Sequence, residues 1–596
     1  MRALTAPLYE LSEFEEIRKL LKKPGKYAAL TGCVESQKLH MAYGLSEGLR
    51  CRLIVTFSDQ RMKELQEDYR FYDRNTTCFP ARDVIFYQAD IHGNQLTKER
   101  IRCFRRMMEG RPFTVVTTFG SLLAPQIPLS VFRDNVITVS CNGSLDEKKM
   151  AEELVKLGYE NVYQVEAPGQ FSIRGGIIDI FDLTEENPYR IELWGDDVES
   201  IRSFDVQSQR SIEKLSSITI YPACELILTE EQLKKGMERI EKESKRFSEK
   251  LRKEFKTEEA HRVEEQMNTL KEEVFAYKSL ANLDGYVRYF YEDTVSFLNC
   301  LDVENSIVFL DEPARIREHA SAVELEFRES MSHRLEKGYI LPGQADFLYS
   351  VAEVTARMSA FRLASLAALD LKGGLLKPDW KADISAKSIS SYNNSFEALV
   401  SDLQRYKKNG YRVLLLSGSR TRAKRLAADL SEDGLTSFYT EDPDREIKPG
   451  EIMTFYGRVF RGFEYPLLKF AVISESDIFG AEKKKKKKKK QYEGRKINDF
   501  SELSVGDYVV HENHGLGIYQ GIEKVEVEKV VKDYIKISYR DGGILYVLAT
   551  GLDVIQKYAS ADAKMPKLNK LGTTEWVKVK NKTKAAVNEV AKDLVE

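Results

Sequence analysis

Residues 165–211 read VEAPGQFSIRGGIIDIFDLTEENPYRIELWGDDVESIRSFDVQSQRS, and the alternation in this stretch sets the reading of the rest. Phe171 and Ile173, then Ile177, Ile178, Ile180 and Phe181, read as one strand broken at Gly175-Gly176. Ile191 and Leu193 begin a second strand, and Val198, Ile201 and Phe204 mark a third. Asn187-Pro188 and Gly195-Asp196 supply turn residues between them, so the pattern predicts a small antiparallel sheet. On faces that a core does not need, it carries Arg174, Arg190 and Trp194, side-chain types enriched at binding hot spots. By pattern alone, solvated arginines beside a core tryptophan is the commoner reading.

Around this stretch, short apolar runs alternate with amphipathic ones between Tyr27 and about Val139: YAALTG, RLIVTFS, MKELQEDYRFY, CFPARDVIFY and FTVVTTFGSLL. That is the grammar of a parallel sheet wrapped by helices. IVFLDEP from Ile307 reads as one more strand of the same sheet, which makes the antiparallel unit an insertion. Gly32 to Leu39 (GCVESQKL) stands where a phosphate loop would stand, after a strand and before a helix. Against G-x-x-x-x-G-K-[ST], Gly32 and Lys38 survive, but Gln37 replaces the second glycine and Leu39 the hydroxyl. The glycine lets backbone N–H groups close on phosphates and the hydroxyl holds Mg²⁺, so this loop is expected not to bind nucleotide. Asp311 and Glu312 then read as structural or as relics.

Farther on, Thr229 to Lys278 places Leu233, Met237, Ile240, Phe247 and Leu251 at helical intervals, predicting an amphipathic helical pair. Ser395 to Gly480 reads as a second, small α/β unit. Lys483 to Lys490 is an unbroken run of lysines, expected to be an exposed linker with nonspecific attraction to nucleic-acid phosphates. Val505 to Gln556 predicts a compact barrel of five short strands, at 509–510, 518–522, 525–527, 534–537 and 544–547, with a hairpin turn at Asp541-Gly542. His511 and His514 lack a nearby third ligand in the sequence and read as part of a turn beside Gly515. An amphipathic helix is expected over 577–595.

At 596 residues the chain exceeds one core. The expected domains are 1–145, a first part of the α/β domain; 146–225, the inserted sheet; 226–387, the return of the first domain; 388–481, the small α/β unit; 482–500, the lysine-rich linker; 501–560, the barrel; and 561–596, a connecting helix. A net charge of −2 argues against a generally DNA-coating chain. Seven scattered cysteines without a C-x-x-C indicate neither a zinc site nor a disulfide framework, which fits a reducing cytoplasm. No segment reaches the roughly 18 apolar residues of a membrane span.

FSIRGGIIDIF, PYRIELWGDDVESIRSFDVQSQRS and YPACE (Tyr221 to Glu225) together resemble the module shared by the repair protein UvrB and the transcription-repair-coupling factor (Mfd) family. FPARDVIFY, VVTTFGSLL and FAVISESDIFG resemble further phrases of that family, and VVHENHGLGIY resembles the polymerase-interacting domain of coupling factors and CarD-type regulators. The fold class implied is α/β, with a degenerate P-loop-type (UvrB-like) domain, an inserted antiparallel sheet, a second small α/β domain and a CarD-like β-barrel followed by a helix.

The resemblance implies docking of UvrA on the sheet through Arg174, Arg190 and Trp194. It implies contact with the RNA polymerase β subunit by strand addition at Tyr534 to Tyr539, with Ile535 and Ile537 as apolar contacts. In the family a pair of helicase-type ATPase domains follows the last helix and carries ATP, Mg²⁺ and most DNA binding. None of their motifs occurs in these residues, so the chain itself is expected to be non-enzymatic, without cofactor or metal, and to join UvrA to stalled polymerase. The rival expectations are a UvrB-like damage-verifying ATPase and a CarD-like regulator with no repair role.

Overall fold

The computed structural model describes residues 2–82, 94–276, 283–291, 293–371, 373–442, 444–480, 505–511, 514–527, 530–540, 543–548, 555–558, 568–570 and 576. The lysine run, the Asp541-Gly542 turn, the tail of FPARDVIFY and the helix expected over 577–595 lie outside them.

Seven parallel strands form the central sheet, in the order Trp380–Asp383, Tyr27–Thr31, Arg362–Leu366, Ser306–Asp311, Cys51–Thr56, Phe113–Thr118, Thr76–Phe79. The inner runs that build it are buried on both faces, as strands between two helical layers must be, while the edge strand Trp380–Asp383 alternates with exposed residues. Val308 and Leu310 enter one core, while Ile307 and Phe309 enter the other. The sheet is assembled from distant parts of the sequence. After Phe113–Thr118 the chain leaves it, and at Ser306–Asp311 it returns to a central place beside Cys51–Thr56.

The excursion contains the inserted unit, a six-stranded sheet ordered Ser211–Leu215, Asp197–Phe204, Tyr189–Trp194, Ile177–Ile180, Gln170–Arg174, Glu160–Asn161, antiparallel except for the last pair, which is parallel. One expectation is corrected here: residues 171–181 are two strands rather than one broken strand. Phe171 pairs with Ile180, and Arg174 pairs with Ile177. Gly175 and Gly176 have φ of 53° and 82°, so the chain reverses in a two-residue turn that needs left-handed backbone at both positions. The strand Ile137–Ser140 belongs to this region too, paired antiparallel with Ser217–Ile220.

Two long helices, Glu230–Lys253 and Thr257–Lys271, follow the sheet. Thr229 caps the first, its hydroxyl accepting from Gln232 N while the Gln232 side chain returns the bond. Met237, Ile240, Phe247 and Leu251 are buried on one stripe. Gly236 lets this helix approach the Phe290 ring so closely that a Cβ there would lie 2.0 Å from it.

In the second α/β unit the sheet order is Lys387–Ser388, Phe463–Tyr465, Phe470–Ser474, Arg412–Ser417, Ile452–Tyr456, Ser437–Tyr439. It shares a core with the first, since Leu414, Leu416, Phe463 and Phe470 pack in one cluster with Leu39 and Met41. The C-terminal module is a five-stranded antiparallel sheet ordered Ile544–Leu548, Val530–Ser538, Gly515–Val527, Tyr508–His511, Ile555–Lys557. Residues expected as two short strands, around 518–522 and 525–527, are one strand, Gly515–Val527, whose pairing runs unbroken through 523–524 and whose one register shift lies earlier, between Tyr519 and Gly521.

Candidate functional site

The pairing register of the inserted sheet decides which side chains share a face. Ser172, Asp179, Arg190, Arg202 and Lys214 stand in one cross-strand row. Ile177 and Glu192 stand in the neighbouring row. Strand alternation puts Trp194 on the same side as Arg190 and Glu192. The opposite side, with Phe171, Ile178, Ile180, Ile191 and Ile201, is buried in the main core. One face therefore holds the unit in place, and the other is a charged platform.

On that platform the structure brings Arg174 and Arg190 together through a residue the sequence reading did not single out. Asp179 is 1% exposed, and its carboxylate accepts from Arg190 Nε at 2.7 Å, Arg190 Nη2 at 2.8 Å and Arg174 Nη2 at 3.1 Å. Arg190 also donates to Gln209 Oε1 at 3.0 Å and lies 4.4 Å from the centre of the Phe204 ring. These partners orient both guanidiniums while leaving donors at the surface. Glu192 accepts from Ser200 and Arg202; Ser200, and after it Arg202, hold its carboxyl below the usual range.

Beside this network Trp194 is 80% exposed, more than any other large apolar side chain in the sheet. It precedes the Gly195-Asp196 turn, and Gly195 has φ of 62°. A tryptophan held almost wholly in water on the same sheet face as fixed guanidiniums matches an interface anchor far better than a core residue. The signal that finds Asp179 in sequence is its place in Ile177-Ile178-Asp179-Ile180, a carboxylate two residues from an apolar neighbour on the same face.

The degenerate loop is filled by protein. Gly32 has φ of 66°, and a Cβ there would sit 2.7 Å from Asp383 Oδ1, so the approach of a neighbouring segment accounts for this glycine. Gln37, fully buried, accepts from Val34 N at 3.1 Å and thereby caps the helix Glu35–Leu45. Its amide donates to Tyr465 Oη at 3.0 Å. Lys38 Nζ bonds Asp311 Oδ1 at 2.7 Å and Glu312 Oε1 at 2.6 Å. Asp311 also accepts from Thr56 Oγ1 at 3.0 Å and Arg61 Nε at 3.1 Å. Burial alone would raise the Asp311 carboxyl, yet Lys38 and Arg61 hold it below its ordinary range. Leu39 is 2% exposed, in the core shared with the second α/β unit.

That inter-domain contact includes His40, which the sequence reading passed over. Its Nε2 meets the Leu4 carbonyl at 2.8 Å and its Nδ1 meets Tyr465 Oη at 2.9 Å. A carbonyl can only accept, so Nε2 carries the proton and the tyrosine hydroxyl donates to Nδ1. Burial pushes the ring down to about 4, the Leu4 bond opposing it.

The expected polymerase contacts are corrected by the structure. Ile535 and Ile537 are both 0% exposed, in the core of the C-terminal sheet with Tyr519 and Val547. Their strand is paired on one side with Gly515–Val527 and, from Tyr534 to Ser538, on the other with Ile544–Leu548. It offers neither apolar side chains nor a free edge over that stretch. Among the described residues, the segment Ile522–Val527 is paired on one side only, and Ile522 is 44% exposed. His511 is buried and its ring lies 4.8 Å from that of His514.

Comparison with known proteins matches each of these two sheets to a domain family. The UvrB interaction domain family matches residues 137–226, which include the whole charged platform. The CarD-like/TRCF RID domain family matches residues 503–559. The transcription-repair-coupling factor of Bacillus subtilis (strain 168) is 34% identical over 526 residues, covering 88% of this chain and 44% of that protein. That of Staphylococcus aureus (strain MRSA252) is 28% identical over 601 residues, covering 100% of this chain and 50% of its own length. This chain thus spans about half the length of the curated relatives it matches. Among the described residues, no helix is long and apolar enough to cross a membrane. The chain thus carries both domain types and is similar to transcription-repair-coupling factors along nearly all of its length.

Proposed function

We propose that this chain is the tethering portion of a transcription-coupled repair factor. The inserted sheet binds UvrA, and the C-terminal sheet binds RNA polymerase through its β subunit. The observation that carries the reading is the platform itself, with two arginines fixed on the buried Asp179 carboxylate beside a tryptophan exposed to 80%. Such an arrangement is preorganised: a partner carboxylate or carbonyl meets donors already in position, and the ring supplies apolar area at small entropic cost. Arg174, Arg190 and Trp194 are the contact residues in this reading, and Asp179 positions them.

For the polymerase, backbone addition at the edge Ile522–Val527 replaces the strand Tyr534 to Tyr539, with Ile522 as its apolar contact. The loop Gly32 to Leu39 takes no nucleotide and no Mg²⁺ in this reading, because Gln37 and the Lys38–Asp311 pair occupy the places a phosphate and its metal would need. The chain acts by raising effective concentration, holding two partners on one scaffold.

Calorimetric titration of the chain with UvrA and, separately, with polymerase tests the assignment. Trp194→Ala and Arg174→Ala are each expected to weaken UvrA binding by more than about 1 kcal/mol and to leave polymerase binding unchanged. Ile522→Asp is expected to do the reverse. Polymerase binding that survives Ile522→Asp and fails with Tyr546→Ala moves the contact to the opposite edge strand. A chain that binds polymerase and ignores UvrA is a transcription regulator instead.

A further inference from the structure

A crevice in the described structure belongs to neither of these surfaces. It has a volume of about 1140 Å³ and lies between the first α/β domain and the second. Arg70 and Arg74, at the end of the helix Asp59–Tyr69 and in the turn beyond it, line one wall. Arg420, Arg422 and Arg458 line the other, at the carboxyl ends of the strands Arg412–Ser417 and Ile452–Tyr456. Carboxylates answer only part of this charge. Arg422 pairs with Glu475 at 2.6 Å and Arg420 approaches Glu441 at 4.0 Å. Among the described residues no carboxylate pairs with Arg70, Arg74 or Arg458, and all three side chains are exposed.

Aromatic rings are interleaved with the arginines. Phe71, Tyr456 and Phe479 line the crevice, and Tyr456 and Phe479 are 40% and 55% exposed. Phe71 is held by the opposite domain, since its ring fills the space above Gly457, where a Cβ would lie 2.0 Å away. The walls are therefore fixed relative to each other at that point. We propose that this crevice binds single-stranded nucleic acid, with phosphodiesters on Arg70, Arg74 and Arg458 and unstacked bases on Tyr456 and Phe479.

Two observations select a strand over the alternatives. A free nucleotide needs a tight cradle for its terminal phosphates, and the one at the start of the helix Arg420–Glu432 is already taken. Glu475 accepts from Gly418 N, and Ser419 Oγ accepts from Arg422 N at 3.1 Å. What remains are guanidiniums spread over both walls, which suit successive backbone phosphates better than one polyphosphate. A duplex keeps its bases stacked inside and has no use for rings within a concave crevice, whereas single strands stack bases on such rings without regard to sequence.

The test is fluorescence anisotropy of the full chain with labelled oligothymidylate and oligouridylate of about 12 nucleotides, a duplex of equal length, and ATP as competitor. Single strands are expected to bind more tightly than the duplex, and the two oligomers decide between DNA and RNA. The double variant Arg74→Ala/Arg458→Ala should lose about tenfold and flatten the salt dependence by about 1.4 in log–log slope. Tyr456→Ala should lose about fivefold, and ATP should not displace the strand. Replacing Lys483 to Lys490 by serine should leave the arginine dependence in place. Arg458→Glu, a change at an exposed position, repeats the test with unchanged melting temperature as its control. Duplex binding at least as tight and indifferent to Tyr456→Ala, displacement by ATP, or affinity that depends on the lysine run and not on the arginines each overturns the proposal, as does the absence of binding.

Discussion

Asp179 separates folding from recognition on the charged platform. It is buried and receives both arginines, so Asp179→Ala leaves two guanidiniums without their shared acceptor and is expected to destabilise the chain by about 2–4 kcal/mol while also weakening UvrA. Trp194→Ala removes a side chain that packs on little, so UvrA affinity falls while the melting temperature holds. Thermal melting beside the titration distinguishes the two, and equal loss of stability in both variants contradicts the division of roles. His40 gives a pH test at the same scale. Its ring stays neutral when folded, with a value near 4 against 6.5 when unperturbed. The folded chain thus binds fewer protons than the unfolded one between those values. Its stabilisation is complete above about pH 6.5 and drains away as pH falls toward 4, by about 1.4 kcal/mol per unit. Asp68, raised to about 6 by burial and accepting from Phe460 N at 2.7 Å, acts in the opposite sense, so the comparison must be with a variant. The gap in melting temperature between the parent and His40→Gln should shrink from pH 7.5 to pH 5, and a gap constant with pH contradicts the neutral buried ring.

Elements were legible wherever period and turn chemistry agreed. Phe113–Thr118, Ser306–Asp311 and Arg412–Ser417 are buried strands in which nearly every residue is apolar or a buried hydroxyl, and the helix stripe from Met237 to Leu251 is read directly from its spacing. The elements misread turn on backbone geometry that composition does not encode. Gly175-Gly176 reads equally as a break within a strand and as a reversal, and only the pairing Arg174 to Ile177 settles it. Gly521, with φ of 111°, stands at a register shift inside the strand Gly515–Val527, and pairing continues unbroken through 523–524, where the sequence suggests an end. Ile535 and Ile537 lie on the buried face, and alternation alone does not say which face of an isolated strand meets a partner. Arg174 and Arg190 were visible as unusual residues, but the carboxylate that joins them lies on a third segment, Ile177–Ile180. Two glycines offer tests here. Gly176→Val forces a β-branched residue to φ of 82°, with Cβ 3.2 Å from Leu193 O, and should cost about 1–3 kcal/mol and displace Arg174, lowering UvrA affinity. Gly236→Val drives into Phe290, should cost about 1–3 kcal/mol by overpacking, and should leave both partner affinities intact in the folded fraction. Denaturant titration reads each cost, and a neutral result at either position removes the steric argument made for it.

At the scale of the whole chain, the two partner surfaces sit in different sheets with separate cores, the inserted sheet in the large cluster and the C-terminal sheet in its own. Changes at one are expected not to reach the other, because no core residue is shared. Between them, the second α/β unit is joined to the first through Gln37, His40 and Tyr465. A rigid scaffold with two independent grips is the central claim. Its most direct measurement is light scattering after size exclusion on the chain mixed with UvrA and RNA polymerase together. A ternary complex is predicted, losing only UvrA with Trp194→Ala and only polymerase with Ile522→Asp. Mutually exclusive binding of the two partners, or loss of both from either substitution, contradicts it.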